Sequence, residues 1–140
     1  MGERLLFSKI CIEQEIPELV KYPTSRQLVM YAGASGDYNP IHYDRAVALA
    51  RGLPGIVVHG QLVSAWLMQL LTDWLGVSGC VRKFSVGYKA MTFPGEPLTC
   101  RGRVTGKSET GDNQITISVW AENPRGEKTV TGTAVVELSS

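Results

Sequence analysis

Cysteines are few in this sequence, and their pattern excludes two classes of protein. The three cysteines, Cys11, Cys80 and Cys100, are odd in number and form no CxxC pair. Neither a disulfide framework nor a thiolate zinc site is expected. They read as reduced, partly buried thiols of a cytosolic protein. Excess charge of one sign is missing: 14 Lys and Arg face 13 Asp and Glu, for a net charge of +1. No broad basic face follows, so nucleic acid is not expected as a partner. Long apolar runs are missing too. The longest, Leu62 to Leu75, contains Gln69 and Asp73 and is too short to span a membrane. Near the N-terminus, Leu5, Leu6 and Phe7 are too few for a signal-peptide core. Leu6 also stands where a myristoylation signal on Gly2 needs Ser or Thr. A soluble, cytoplasmic protein without membrane attachment is the expectation.

What is present suits one globular domain over residues 1–140, 44% hydrophobic and 19% charged. A chain of this length buries roughly two-thirds of its surface on folding and needs no metal or disulfide to do so. Residues 1–23 read as an irregular or strand-like lead-in. Thr24, with Gln27 three positions on, is an N-terminal helix signature. The short helix that follows has Leu28, Val29, Tyr31 and Ala32 as its apolar face, and Gly33 and Gly36 end it. Asp44 to Arg51 suits another short helix. Gln61 to Leu75 reads as the main helix, apolar around nearly its whole circumference and closed by Gly76, which places it inside the protein.

From Val81 the period changes to two: Phe84, Val86 and Tyr88 alternate with Lys83, Ser85 and Lys89. Pro94-Gly95, Thr110-Gly111-Asp112-Asn113 and Asn123-Pro124-Arg125-Gly126 read as turns between further strands. Helices first and strands last make an α+β chain. A long hydrophobic helix covered by one curved antiparallel meander describes the hot-dog architecture.

The chemistry concentrates in the irregular middle. Asp37 and His42 are five positions apart across a turn that Gly36 and Asn39-Pro40 shape. A carboxylate and an imidazole converging there can share a water and move its protons. Spacing alone favours a plainer reading, in which Asp37 caps the turn and His42 is a satisfied core histidine. Gly60 opens the main helix, where backbone N–H groups point outward with partial positive charge and suit a carbonyl oxygen gaining negative charge. Its plainer role is to permit a tight turn. Asp37, His42 and His59 match no recognised metal-ligand spacing, so no metal is expected. Ser35 and Ser64 sit in no nucleophile elbow, and Gly33-Ala34-Ser35-Gly36 does not follow a parallel strand as a phosphate loop would.

Tyr31, Ser35, Gly36, Asp37, Asn39, Pro40, Ile41, His42 and Ala48 together resemble the signature of the MaoC-like, hydratase 2 family. Ile56-Val57-Val58-His59-Gly60 is similar to the family's stretch at the start of its central helix. Phe93-Pro94-Gly95-Glu96 is similar to its strand-turn before the last hairpins. The resemblance implies a hot-dog (R)-specific enoyl-CoA hydratase or 3-hydroxyacyl-thioester dehydratase. Asp37 and His42 become the catalytic pair and the Gly60 amide the oxyanion donor. Asn39 positions the loop or the water, and Tyr31, Gly55, Ile56 and Val57 bind substrate. No cofactor is implied, and the acyl carrier is coenzyme A or acyl carrier protein. Single-hot-dog members work as homodimers, as heterodimers with another hot-dog subunit, or in higher assemblies. With both Asp37 and His42 present, this chain reads as a catalytic subunit. Gln61 departs from the Met of many members, which leaves acyl preference open. The competing functions are a hot-dog thioesterase and a non-catalytic partner subunit. Arg82, Lys83, Lys89 and Arg101 are candidates for the carrier's phosphates, although a solvated strand face explains each of them more simply.

Overall fold

A computed structural model describes residues 4–139. Met1–Glu3 and Ser140 lie outside them. The elements run β1 (Glu15–Lys21), α1 (Ser25–Ser35), a 3-10 turn (Pro40–His42), α2 (Arg45–Ala50), α3 (Gly60–Leu75), β2 (Gly79–Tyr88), β3 (Leu98–Lys107), β4 (Gln114–Glu122) and β5 (Lys128–Leu138). One antiparallel sheet has the order β1-β3-β4-β5-β2.

Alternation explains the sheet. In β4, Ile115, Ile117, Val119 and Ala121 face inward and are fully buried, while the residues between them are half-buried. Leu98, Cys100 and Val104 of β3 and Val130, Ala134, Val136 and Leu138 of β5 line the same face. α3 packs across that face and touches all five strands. It presents Leu62, Val63, Trp66, Leu67, Leu70, Leu71 and Leu75. Each fully buried Leu or Ile contributes about 1.5–3 kcal/mol. The fold is α+β, and its helix-on-curved-sheet architecture is that of a hot dog.

Three expectations need correction. The main helix is not covered all round: Gln61, Ala65, Thr72 and Asp73 are exposed and Ser64, Met68 and Gln69 only half-buried. A single sheet wraps one side of a helix, so the apolar residues beyond that stripe stay at the surface. β2 does not form a meander with β3. It pairs with β5 at the sheet edge, because residues 89–97 form a crossover rather than a hairpin: Lys89 and Ala90 still bond to Thr129, and Gly95 reaches Pro23. The lead-in, in keeping with its strand-like reading, supplies a fifth strand, β1, on the far edge against β3. Pro17 is tolerated there because edge strands leave N–H groups unpaired. In α1 only Leu28 and Ala32, one turn apart, are buried; Val29 is exposed.

No helix among the described residues is long and apolar enough to cross a membrane.

Candidate active site

Local chemistry builds the loop after α1. The Thr24 hydroxyl accepts from the Gln27 N–H at the helix start. Gly36 ends the helix at φ 78°, a conformation that favours glycine, and bonds back to Ala32. The Asp37 N–H donates to the Ser35 hydroxyl at 3.1 Å. Asn39 caps the 3-10 turn by accepting from the Ile41 N–H, and its Oδ1 also accepts from Arg51 at 3.1 Å. Asn39 therefore holds the loop.

That turn carries His42 inward, where it is buried. His42 Nδ1 lies 2.7 Å from the Val57 carbonyl, while the Val57 N–H bonds to the Ile41 carbonyl at 3.1 Å. A carbonyl only accepts, so Nδ1 carries the proton and Nε2 keeps its lone pair in the neutral ring. That free Nε2 faces Asp37 Oδ2 at 3.7 Å. The gap is too long for a direct hydrogen bond, and the half-exposed carboxylate is reachable from solvent. The plainer sequence readings thus hold only in part. His42 has a structural bond, yet its other nitrogen is left for chemistry. Asp37 Oδ1 accepts from the Asn39 N–H at 3.3 Å, as a turn-former would, while Oδ2 points to the imidazole.

His59 stacks on His42, with ring centroids 3.7 Å apart and planes 18° from parallel. Its Nε2 donates to the Asp37 backbone carbonyl at 3.3 Å. Burial, and then the neighbouring His42, hold its pKa below the ordinary histidine value. Tyr31 of α1 meets this ring edge-on at 4.8 Å. Donor atoms of Asp37, His42 and His59 lie within 4.8 Å of one another. The geometry suits a metal poorly: His42 Nδ1 and His59 Nε2 are already engaged by the backbone carbonyls of Val57 and Asp37.

Gly60 is the first residue of α3, and His59 before it gives the helix no side-chain cap. First-turn N–H groups have no partner within their helix. A Cβ on Gly60 would lie 2.8 Å from Tyr88 Cε1, so glycine allows the Tyr88 ring to close over the helix start. The Tyr88 hydroxyl is 2.9 Å from Ser64 Oγ, which itself donates to the Gly60 carbonyl.

His42, Gly60, Ile41, Val57, Tyr88 and Thr92 are among the residues lining one cavity of about 200 Å³. Of the sequence candidates, His42, Gly60 and Val57 line this cavity, and Asp37 adjoins it through His42, 3.7 Å away. Gly55 and Ile56 do not. They line a separate cleft of about 540 Å³ with Arg45, Phe93, Glu96 and Arg125. Tyr31 supports His59 from behind. Of the basic candidates, Arg82 pairs with Glu137, and Arg101 with Glu18 and Glu122. Tyr88 and Thr92 escaped the sequence reading. Tyr88 ends an alternating strand and carries no local sign of a cavity wall; the pairing of β2 with β5 and its packing on α3 bring it onto Gly60.

Chemically, the cavity holds a basic nitrogen and a helix N-terminus that can receive developing negative charge, with a carboxylate 3.7 Å from that nitrogen.

The sequence pattern of the family described as MaoC like domain matches residues 11–123. The chain is 30% identical to the 3-oxo-4,17-pregnadiene-20-carboxyl-CoA hydratase beta subunit of Mycobacterium tuberculosis, over 89% of this chain and 92% of that one. It is 32% identical to an (R)-specific enoyl-CoA hydratase of Aeromonas caviae, over 80% and 84%. The solved (R)-hydratase of A. caviae superposes with a TM-score of 0.86 at 28% identity, over 93% of this chain and 98% of that one. Fungal fatty acid synthase beta subunits match as well. The chain spans 5% of the length of the one from Cochliobolus carbonum, at 33% identity over 76% of this chain.

Proposed function

The chain belongs to the MaoC-like domain family, and from that premise we propose that it is a hydro-lyase acting on acyl thioesters. It adds water to trans-2-enoyl thioesters with (R) specificity, or removes water from 3-hydroxyacyl thioesters. The observation that carries the proposal is the free Nε2 of His42, facing Asp37 at 3.7 Å, on the same cavity as the start of α3 at Gly60.

In hydration, Asp37 and His42 hold a water, and His42 Nε2 takes its proton as the oxygen attacks C3. The C2–C3 π electrons move toward the thioester, and the oxygen that gains charge is met by the Gly60 N–H. The proton at the pair then returns to C2. Dehydration is the reverse through the same groups. Water adds without oxidation or reduction, so the step needs no redox cofactor. Coenzyme A or acyl carrier protein presents the acyl group as its thioester.

Two observations support a second subunit. On the cavity wall, Tyr88 and Met91 are 54% and 49% exposed, leaving a side for another hot-dog chain to close. The M. tuberculosis relative is itself named a beta subunit. A homodimer or a heterodimer with another hot-dog chain fits, with this chain as the catalytic member.

The test follows the conjugated enoyl absorbance with crotonyl-CoA and a longer trans-2-enoyl-CoA, with a thiol reagent in parallel. Absorbance falling without thiol release is the expected result. Thiol release would make the protein a thioesterase. Silence on acyl-CoA and acyl-carrier-protein substrates alike, alone and with a hot-dog partner, would overturn the proposal.

A further inference from the structure

The mechanism above uses one of the chain's two histidines. The other, His59, is buried more deeply, 1% exposed against 7% for His42. Its Nδ1 is sealed from solvent and has no hydrogen-bond partner among the described residues. A phenylalanine would fill that space without leaving an acceptor unsatisfied, so packing alone does not account for the imidazole.

The rest of the ring does. Its Nε2 meets a backbone carbonyl, that of Asp37, at 3.3 Å. Carbonyls only accept, so the proton sits on Nε2, in agreement with the unpartnered Nδ1. One face lies flat on His42, and Tyr31 packs its edge against the ring. Gly60 is the next residue in the chain. A single side chain therefore touches the backbone of the carboxylate residue and the ring of the base, and its own backbone leads directly into the helix that receives the oxyanion.

We propose that His59 is a positioning residue: a neutral, Nε2-protonated imidazole that holds Asp37 and His42 in register with the Gly60 amide. The proposal rests on the hydratase reading. Its neutrality has a physical reason. A proton on Nδ1 would find no acceptor, and would set a second charge against the face of His42 as that ring takes the proton of water. Burial and the proximity of His42 oppose that charge, while the Asp37 carbonyl and carboxylate favour it to a smaller extent.

Two measurements test this. With only two histidines in the chain, ¹⁵N-histidine NMR of the wild type, assigned with His59→Gln, reads both tautomers. A neutral His59 with its proton on Nε2, exchanging slowly with water, is expected at neutral pH. An Nδ1–H tautomer or an imidazolium would overturn the proposal.

Kinetics give the second. His59→Phe keeps a flat ring and loses the donor. It is expected to lower kcat by about 10- to 100-fold, the scale of a misplaced reacting group, with KM within about twofold. Gln places an N–H near the Nε2 position and should recover kcat to within about threefold. In an Asp37→Asn background, His59→Phe should cost less than it does in the wild type, because one of the two groups it positions is already gone. A folded His59→Phe with wild-type kcat, or full additivity in that background, would overturn the role. If the Phe variant does not fold, the tautomer and the Gln variant decide. A wild type silent on every enoyl thioester would sink the hydratase reading and the kinetic role with it. The tautomer separately decides the His59–Asp37 bond.

Discussion

The sheet and the segment from Gly36 to Gly60 are held by different kinds of bond. In β3, β4 and β5 the main chain bonds to itself, and inward side chains such as Ile117 serve as volume. Between Gly36 and Gly60 the polar side chains hold the backbone. Ser35 receives the Asp37 N–H, Asn39 the Ile41 N–H and Asp44 the Val47 N–H, while His42 reaches Val57 and His59 reaches Asp37. In the first region one apolar residue can replace another of similar size. In the second each residue's chemistry fixes a specific bond. Stability should therefore reside mainly in the sheet, and rate mainly in the segment.

The sharpest way to break this contrast is at the proposed catalytic pair. Asp37→Asn and His42→Ala should each lower kcat/KM by about 10²–10⁴ while circular dichroism shows the fold retained, with Tm lowered in His42→Ala, which leaves the Val57 carbonyl without its partner. A collapse of the fold in both would show that the segment is structural after all. The converse variant is Ile117→Ala, fully buried under α3. It should cost about 2–5 kcal/mol in denaturant unfolding, with kcat per folded molecule unchanged.

Gly60→Ala probes the seam between the regions. The new Cβ would meet the Tyr88 ring at 2.8 Å and displace it. About tenfold in kcat, or ~1.4 kcal/mol, is the expected loss, with little change in Tm because the half-exposed Tyr88 can swing outward.

The pH dependence of stability sharpens the contrast further. His59 has a folded pKa below its ordinary 6.5, because it is buried and stacked on His42. Below about pH 6.5 the unfolded chain takes up a proton that the folded chain refuses, so stability rises with pH in that range. This term is at its most favourable above 6.5 and is lost as pH falls from 6.5 toward the folded value. Urea midpoints against pH should show the decline, and His59→Phe should flatten it.

The smallest effect concerns thiols. Burial pushes Cys100 of β3 up to about 12, while Cys11 and Cys80 are exposed. A thiol reagent should titrate two cysteines in the native protein and three in denaturant, with no loss of enoyl-thioester turnover when Cys11 is modified.

Much of this was legible from local pattern. Thr24 with Gln27, and Asp44 before an alanine-rich stretch, mark α1 and α2 because a cap needs only residues three apart. Strict alternation marks β4. The pattern misled where burial depended on a distant partner. Leu62 to Leu75 is rich enough in apolar residues to look buried all round, yet one sheet covers one face. β2 shows the period of a hairpin strand, yet its partner is β5 across the crossover. Gly55 and Ile56 adjoin Val57 in sequence, but the chain passes them to a different cleft.

The same division runs through the site. By itself the sequence determined which groups are available for chemistry: a carboxylate and an imidazole on one rigid turn, and a glycine opening an apolar helix. Caps, turns and alternation depend on neighbours within a few residues, so those features are written locally. Only the tertiary structure decided which nitrogen of His42 is free, because Val57 claims the other. It also made His59 a bridge between Asp37 and His42, and set Tyr88 over Gly60. Each of these depends on a contact between segments far apart in the chain, and no local pattern encodes a distance that the packing of α3 on the sheet must set.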